Sequence, residues 1–198
     1  MTSDTPKRSI EAADILRRAD YLPQRALLRR QMTEHKRLRH VDVGPFAAFY
    51  FESFETIRHQ IQEMLYIENG GEAQLADELE AYAPLVPRGG ELVATVMFEI
   101  DDEPRRKVQL VRIGGIEHHA ILLVDGEQIR GIPDPDRENT SPDGKASSVQ
   151  FFHFPLTPHQ VGRFRDPAAS VQLGFDHKNY GHIALVPKDV QATLARDL

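Results

Sequence analysis

The chain predicts an α+β fold, with N-terminal helices packed on, or extending from, a mostly antiparallel sheet of about six strands. Three observations predict it. Helical spacing of apolar residues dominates the first eighty or so positions, interrupted by a β-like, aromatic-rich run at Phe46–Glu52. From Pro87-Arg-Gly-Gly90 onward the apolar period becomes two. Asp125-Gly126 is a strong two-residue hairpin signal between two such runs. Helices first and strands after is the order of an α+β chain.

Each element has a local reason. Ser9 to Ala19 reads as a short helix on Ile10, Ala13, Ile15 and Leu16. A second helix runs from Tyr21-Leu-Pro23, with proline in its first turn, to about Arg39. Val41 to Pro45 reads as a turn. Ser53 caps a long helix to Glu68, which Asn69-Gly70-Gly71 stops in the left-handed conformation that glycine and asparagine tolerate. Glu72 to Tyr82 is a further helix, ended by Pro84. Leu92, Ala94, Val96, Phe98 and Ile100 then share one face of a strand. Strands are expected at Arg106–Ile113, Glu117–Val124, Gln128–Ile132, Ser147–Phe154 and Ser170–Phe175. Pro133 to Ala146, rich in Pro, Asp, Gly, Ser and Asn, is expected to be a long mobile loop. Thr157–Phe164 and Pro187–Ala195 are helices.

Composition narrows the function classes. With 198 residues, 40% hydrophobic and 27% charged, the chain reads as one domain of ordinary globular composition. It lacks a run of apolar residues long enough to cross a membrane and an apolar signal core near Met1, so a cytoplasmic location is expected. Cysteine is absent, which excludes disulfides, thiol catalysis and cysteine-held iron–sulfur clusters in this chain. A metal would have to sit on His, Asp and Glu, favouring iron, manganese or zinc. The net charge of −6 divides unevenly. Residues 1–40 carry ten Lys/Arg against five Asp/Glu, whereas residues 41–198 carry fourteen against twenty-five. A basic helical arm on an acidic α+β body suits docking on that body or a homodimer contact. A nucleic-acid contact is disfavoured, because no helix-turn-helix, zinc-finger or RNA-binding signature accompanies the arm.

The chemistry-bearing stretch is Phe51 to Glu68. At about 100° per residue, Glu55, His59 and Glu63 fall on one side of a helix, opposite Phe54, Ile57, Ile61, Met64 and Leu65. The i, i+4 spacing lets neighbouring side chains approach one ion, so Glu63 and His59 are the candidate metal ligands, although no paired Glu-x-x-His copy occurs. Glu68 projects on the apolar side in the last turn. It is expected to be buried and paired, with Arg25, Arg29 and Arg30 among the candidate partners. Gln60 lies at the boundary of the two faces. Thr95 and Glu99 share the less apolar face of their strand and could line a helix–sheet cleft. His177 follows Asp176 at a strand end, whereas His118 and His119 point to opposite faces.

Two long motifs carry a family resemblance. The first is Phe51-Glu52, Thr56, Gln60-Ile-Gln-Glu63-Met64 and Glu68. The second runs from Glu78-Leu79 through Ala81-Tyr82, Pro84-Leu85, Pro87, Gly90-Glu-Leu92 and Ala94-Thr95 to Met97 and Glu99. With Ser147–Phe154 and Asp176-His177…Tyr180, they resemble an uncharacterised bacterial family known as domain of unknown function 3501. The chain departs from that pattern at Gln150, where histidine is expected, and at Lys178, where proline is expected. The resemblance implies no established activity. It implies a role near peroxide or iron stress, with a rubrerythrin-like or iron–sulfur redox protein as partner.

Absence of a Walker loop, a dinucleotide fingerprint and a Gly-x-Ser-x-Gly elbow disfavours common hydrolases, kinases and dehydrogenases. The expectation is an accessory protein of redox or metal stress that binds a ligand, metal or partner through an acidic helix–sheet cleft. Glu52, Gln60, Glu63, Glu68, Thr95 and Glu99 would line it, with His177 at its rim. The alternatives are a non-haem metal-dependent enzyme and a nucleic-acid-binding regulator working through Arg25 to Arg39.

Overall fold

The computed structural model describes residues 6–198. The elements in order are α1 (Arg18–Tyr21), α2 (Arg25–Arg37), β1 (His40–Val43), β2 (Ala47–Phe51), α3 (Phe54–Glu68), α4 (Gly71–Tyr82) and β3 (Glu91–Phe98). There follow α5 (Glu103–Arg112), β4 (Ala120–Val124), β5 (Glu127–Arg130), β6 (Ile132–Pro133), β7 (Val149–Pro155), α6 (Pro158–Arg165), β8 (Val171–His177), β9 (Tyr180–Leu185) and α7 (Lys188–Leu194).

The class is α+β, but the strands form two antiparallel sheets rather than one of about six strands. Their orders are β1-β2-β3-β7-β6 and β5-β4-β8-β9. Alternation along a strand shows which side chains turn inward and cannot show that two sheets face each other. Leu92, Ala94, Val96 and Phe98 of β3 turn into one core with Phe152 and Phe154 of β7 and Leu122, Leu173 and Phe175 of the second sheet. Phe49 rests on Phe175 with centroids 5.2 Å apart. The chain crosses between sheets at Gly131, whose position against Ala120 and Phe154 leaves no room for a side chain. The β4–β5 turn takes positive φ at both Asp125 and Gly126, as the hairpin signal requires.

The outer face of the first sheet is covered by helices. Phe54, Ile57 and Ile61 of α3 pack on Val93 with Ile10, Leu85 and Val86. Ser53 caps α3 in a reciprocal box with Thr56, and Asn69 ends it at φ 55°. The second sheet is closed at one end by Leu110 of α5 and at the other by Phe164 of α6 and Leu194 of α7.

Four local expectations are corrected. Residues 106–113 lie in a helix, because Asp102 accepts the Arg105 N–H at 2.8 Å as an N-cap and Pro104 sits in the first turn. That helix buries Leu110 and leaves Val108 and Val111 exposed. Residues 41–43 belong to a strand, and the turn comes at Gly44, with φ 67°. The Ser9–Ala19 helix is reduced to a 3-10 turn at Ala12–Asp14 before α1. Buried Gln62 accepts the Leu16 N–H at 2.9 Å and donates to the Leu16 carbonyl at 3.0 Å, taking the backbone groups a helix would use. The unexpected β9 is an edge strand whose Ile183 and Leu185 face outward, so its pattern reads poorly. The loop 133–146 is tied by a bridge between Thr140 and Ala146 and by Arg137, which donates to the Ala81 carbonyl at 2.7 Å.

Candidate functional site: the cleft between α2 and α3

Helix α2 runs beside α3 without burying a single residue. Polar contacts hold it at both ends. At its start, Arg25 grips the Glu63 carboxylate with two hydrogen bonds of 2.8 and 2.7 Å, Tyr21 donates its hydroxyl to the same carboxylate, and Arg29 stands 4.0 Å away. The Arg25 guanidinium also lies over the Tyr66 ring, 4.0 Å from its centroid. These donors, Arg25 foremost, hold the Glu63 carboxyl down at about 2. Burial, with Glu63 beside it, pushes the Tyr21 phenol well above its ordinary range. At the other end, the His35 ring meets the Ser53 hydroxyl at 3.0 Å and stands 3.9 Å from Glu55. Beyond it, Arg39 makes a buried pair with Asp197 at 2.6 and 3.0 Å.

Between these two fastenings opens a cavity of about 380 Å³, into which His35, Glu55, Arg58 and His59 face beside Gln31 and Met32. Burial lowers the affinity of both imidazoles for a proton; at His35 the nearby Arg39 charge adds to it, while at His59 the Glu63 charge opposes it. Burial would raise the Glu55 carboxyl. Its own backbone N–H, the Ser53 hydroxyl and the charges of His35 and Arg39 outweigh that and hold it below its usual value. At neutral pH the cleft therefore offers two neutral imidazoles, one carboxylate and one guanidinium. A second, more apolar cavity of about 370 Å³ lies across Leu16, Tyr21 and Gln62, bounded by Ile15, Leu65 and Leu75.

The expected site residues separate. Glu52 and Thr95 do meet, because the half-buried Glu52 carboxylate accepts from Thr95 at 2.6 Å and from Thr56 where β2 turns into α3. Glu63 and His59 share one face of α3, but Arg25 occupies both Glu63 oxygens. Glu68 is not buried against an arginine. It is exposed in the last turn of α3 and accepts from Gln74 at 2.9 Å. Glu99 is exposed and accepts from the Tyr50 hydroxyl at 2.7 Å. Gln60 stands half-exposed, and it is Gln62 that bonds a backbone. His177 belongs to the second sheet, where its buried ring meets His119 edge-on with centroids 4.9 Å apart. Among the described residues, Phe54, Ile57, Ile61 and Val93 fill the junction of α3 with the sheet. A cleft opens between the two helices α2 and α3.

His35, Arg58, Tyr21 and Arg25 were the residues that sequence reasoning missed as a set. Arg25 and the Glu63 it holds are thirty-eight positions apart, beyond the reach of any helical spacing. Among the described residues, no three His, Asp or Glu side chains are grouped so as to hold a metal ion, and Glu63 bound by arginine is unsuited to iron, manganese or zinc. No described helix is long and apolar enough to cross a membrane.

Fold and cleft together define an α+β protein of two facing antiparallel sheets, with a helical layer outside and a mixed-charge cleft at the edge of that layer. The chain belongs to the family described as "Protein of unknown function (DUF3501)", matched over residues 9–198. It is similar to a crystallised protein of unknown function from Burkholderia pseudomallei K96243. The two are 35% identical with a TM-score of 0.89, over 96% of this chain and 99% of that one. No curated protein matches.

Proposed function

We propose that this chain is an accessory binding protein of redox or metal stress that takes a small ligand or a redox partner at the α2–α3 cleft. One observation carries the reading: a cavity of about 380 Å³ collects His35, Glu55, Arg58 and His59 under a helix that buries none of its own residues. A concave surface with donors and acceptors of both signs suits recognition of a polar ligand or surface. A helix fastened only at its ends can shift to admit one. The family resemblance points to a rubrerythrin-like or iron–sulfur protein as the partner, in the cytoplasm.

Calorimetric titration with a purified rubrerythrin-like protein, and separately with an iron–sulfur protein, tests the partner reading. Binding that weakens about tenfold or more, equivalent to about 1.4 kcal/mol, in Glu55→Lys and Arg58→Glu supports it. Unchanged binding in both variants, or no binding by either partner, removes it.

The second reading, a metal-dependent enzyme, rests on the two imidazoles that line the cavity, His35 and His59, and needs further ligands from substrate or solvent, because no three His, Asp or Glu side chains are grouped among the described residues. About one ion per chain by elemental analysis, lost in His35→Ala and His59→Ala, would favour it. No ion after anaerobic loading with ferrous iron would end it. Nucleic-acid binding has less support, because Arg25 and Arg39 are engaged by Glu63 and Asp197.

A further inference from the structure

The second cavity, of about 370 Å³, lies toward the C-terminal end of α3 and has walls of a different chemistry. Between the 3-10 turn and α1 the backbone is extended at Ile15 and at Arg17. The Gln62 amide fixes Leu16 between them, accepting its N–H at 2.9 Å and donating to its carbonyl at 3.0 Å. Held this way, Leu16 is left 39% exposed and Ile15 is only partly buried. Leu65 of α3 and Leu75 of α4 are partly buried too. These four aliphatic side chains line one space that the chain does not fill.

The charged groups at this cavity have one sign. Arg17 and Arg18 line it, and among the described residues no aspartate or glutamate does. Arg17 gives its Nε–H to Asp20 at 2.9 Å on exposed surface. Arg18 donates to the Tyr66 carbonyl at 2.8 Å, and its guanidinium lies 5.1 Å from the centroid of the Tyr66 ring. That carbonyl belongs to the last turn of α3, so the bond also caps the helix. It uses one of five N–H donors and leaves the charge of Arg18 without an ion pair among the described residues.

An aliphatic wall rimmed by arginine complements an anion with an apolar body. The body releases water from the leucines, and a carboxylate accepts from the planar guanidinium groups. A cation is opposed by both arginines, and a wholly polar anion would leave the aliphatic wall wet. Ligand sites span about 300–1,000 Å³, so this volume suits a small molecule. We infer that the cavity binds a medium-chain carboxylic acid, its chain against Leu16, Leu65 and Leu75 and its carboxylate on Arg17 and Arg18. The site goes beyond the α2–α3 cleft and uses neither Glu55 nor Arg58, although Leu16, Tyr21 and Gln62 border both cavities.

Calorimetric titration of the full chain with octanoate, followed by methyl NMR, tests the assignment. One octanoate per chain is expected. Methyl signals of Ile15, Leu65 and Leu75 should shift, while that of Met32, which lines only the α2–α3 cleft, stays in place. Affinity should rise by up to about fourfold for each methylene added from butanoate to octanoate. Octanol and octylamine, of the same length without the negative charge, should bind about tenfold more weakly or worse. The double variant Arg17→Gln, Arg18→Gln should weaken octanoate about tenfold or more, and it keeps an N–H donor for the Tyr66 carbonyl. Ala12→Phe should do the same by filling space, because Ala12 lines the cavity at an exposed position outside the core. Circular dichroism matching the parent shows that neither loss is a loss of the fold. Absence of octanoate binding overturns the assignment. So do shifts at Met32 in place of Ile15, Leu65 and Leu75, equal binding of octanol, or an affinity unchanged in the variants.

Discussion

The inter-sheet core and helix α2 are opposites within one chain. Phe49 and Phe152 are 0% exposed and meet Phe175 of the facing sheet with ring centroids 5.2 and 6.2 Å away, whereas α2 runs thirteen residues without burying one. The core is held by apolar area, which neither salt nor modest pH change removes. Helix α2 is held by the Arg25–Glu63 ion pair and the His35–Ser53 hydrogen bond, part-exposed contacts that both can weaken. Stability and adaptability are thus assigned to different parts, and the cleft lies on the adaptable side.

Four perturbations break or sharpen that contrast. Phe152→Ala should remove about 3–5 kcal/mol from the stability measured by urea unfolding, because it opens a cavity among rings that cannot collapse into it. A loss under 1 kcal/mol would mean that the two sheets are not packed as described. Tyr180→Phe should cost about 1–3 kcal/mol. The Tyr180 hydroxyl accepts the N–H groups of Phe46 and Ala47 at 3.2 and 2.9 Å and donates to the Val43 carbonyl at 2.7 Å, so it braces the β1–β2 turn from the other sheet.

Glu63→Gln is expected to act locally instead. Amide exchange should quicken across residues 25–37 while the core strands keep their protection, with a global loss of only about 1–2 kcal/mol. Uniform acceleration throughout the chain would show that α2 is not a separate unit. The smallest effect belongs to Leu27→Ala on the exposed side of α2, within about 0.5 kcal/mol of the parent.

Acid should separate the same two regions. Glu63 has a folded-state value of about 2 against an ordinary 4.5, so the folded form binds fewer protons between those values. Its stabilisation is complete above 4.5 and is lost as the pH falls toward 2. His35 and His59 also have lowered folded values, so their protonation opposes folding once the pH drops below the ordinary 6.5. Exchange of α2 should therefore loosen first below 6.5 and again below 4.5, ahead of the core. Simultaneous loosening of core and helix would contradict this order, and Glu63→Gln should shrink the second step, to which Glu55 also contributes, while leaving the first.

Much of the fold was legible because its signals are local. Ser53, Asn69 and Asp125-Gly126 marked the ends of α3 and the β4–β5 turn through backbone chemistry that a few neighbouring residues decide. The inward set of β3 was legible for the same reason. Where signals competed, reading failed. Arg106–Ile113 alternates well enough to suggest a strand, yet the Asp102 cap and Pro104 start a helix there. Within the candidate site, the contact of Glu52 with Thr95 joins two segments that the family motifs flagged separately. The pairing of Arg25 with Glu63 and the approach of His35 to Glu55 had no local mark at all.

By itself the sequence determined the α+β class, the family, the long capped helix with its acidic face and the absence of thiol chemistry, since each follows from composition or from residues within a few positions. Only the tertiary structure decided that the strands divide into two facing sheets. It also decided that Glu63 is gripped by Arg25, that Glu68 faces solvent, and that a cavity opens between α2 and α3. Those outcomes depend on which distant side chain arrives first at a charge or a cavity, and helical or strand periodicity carries no information about that.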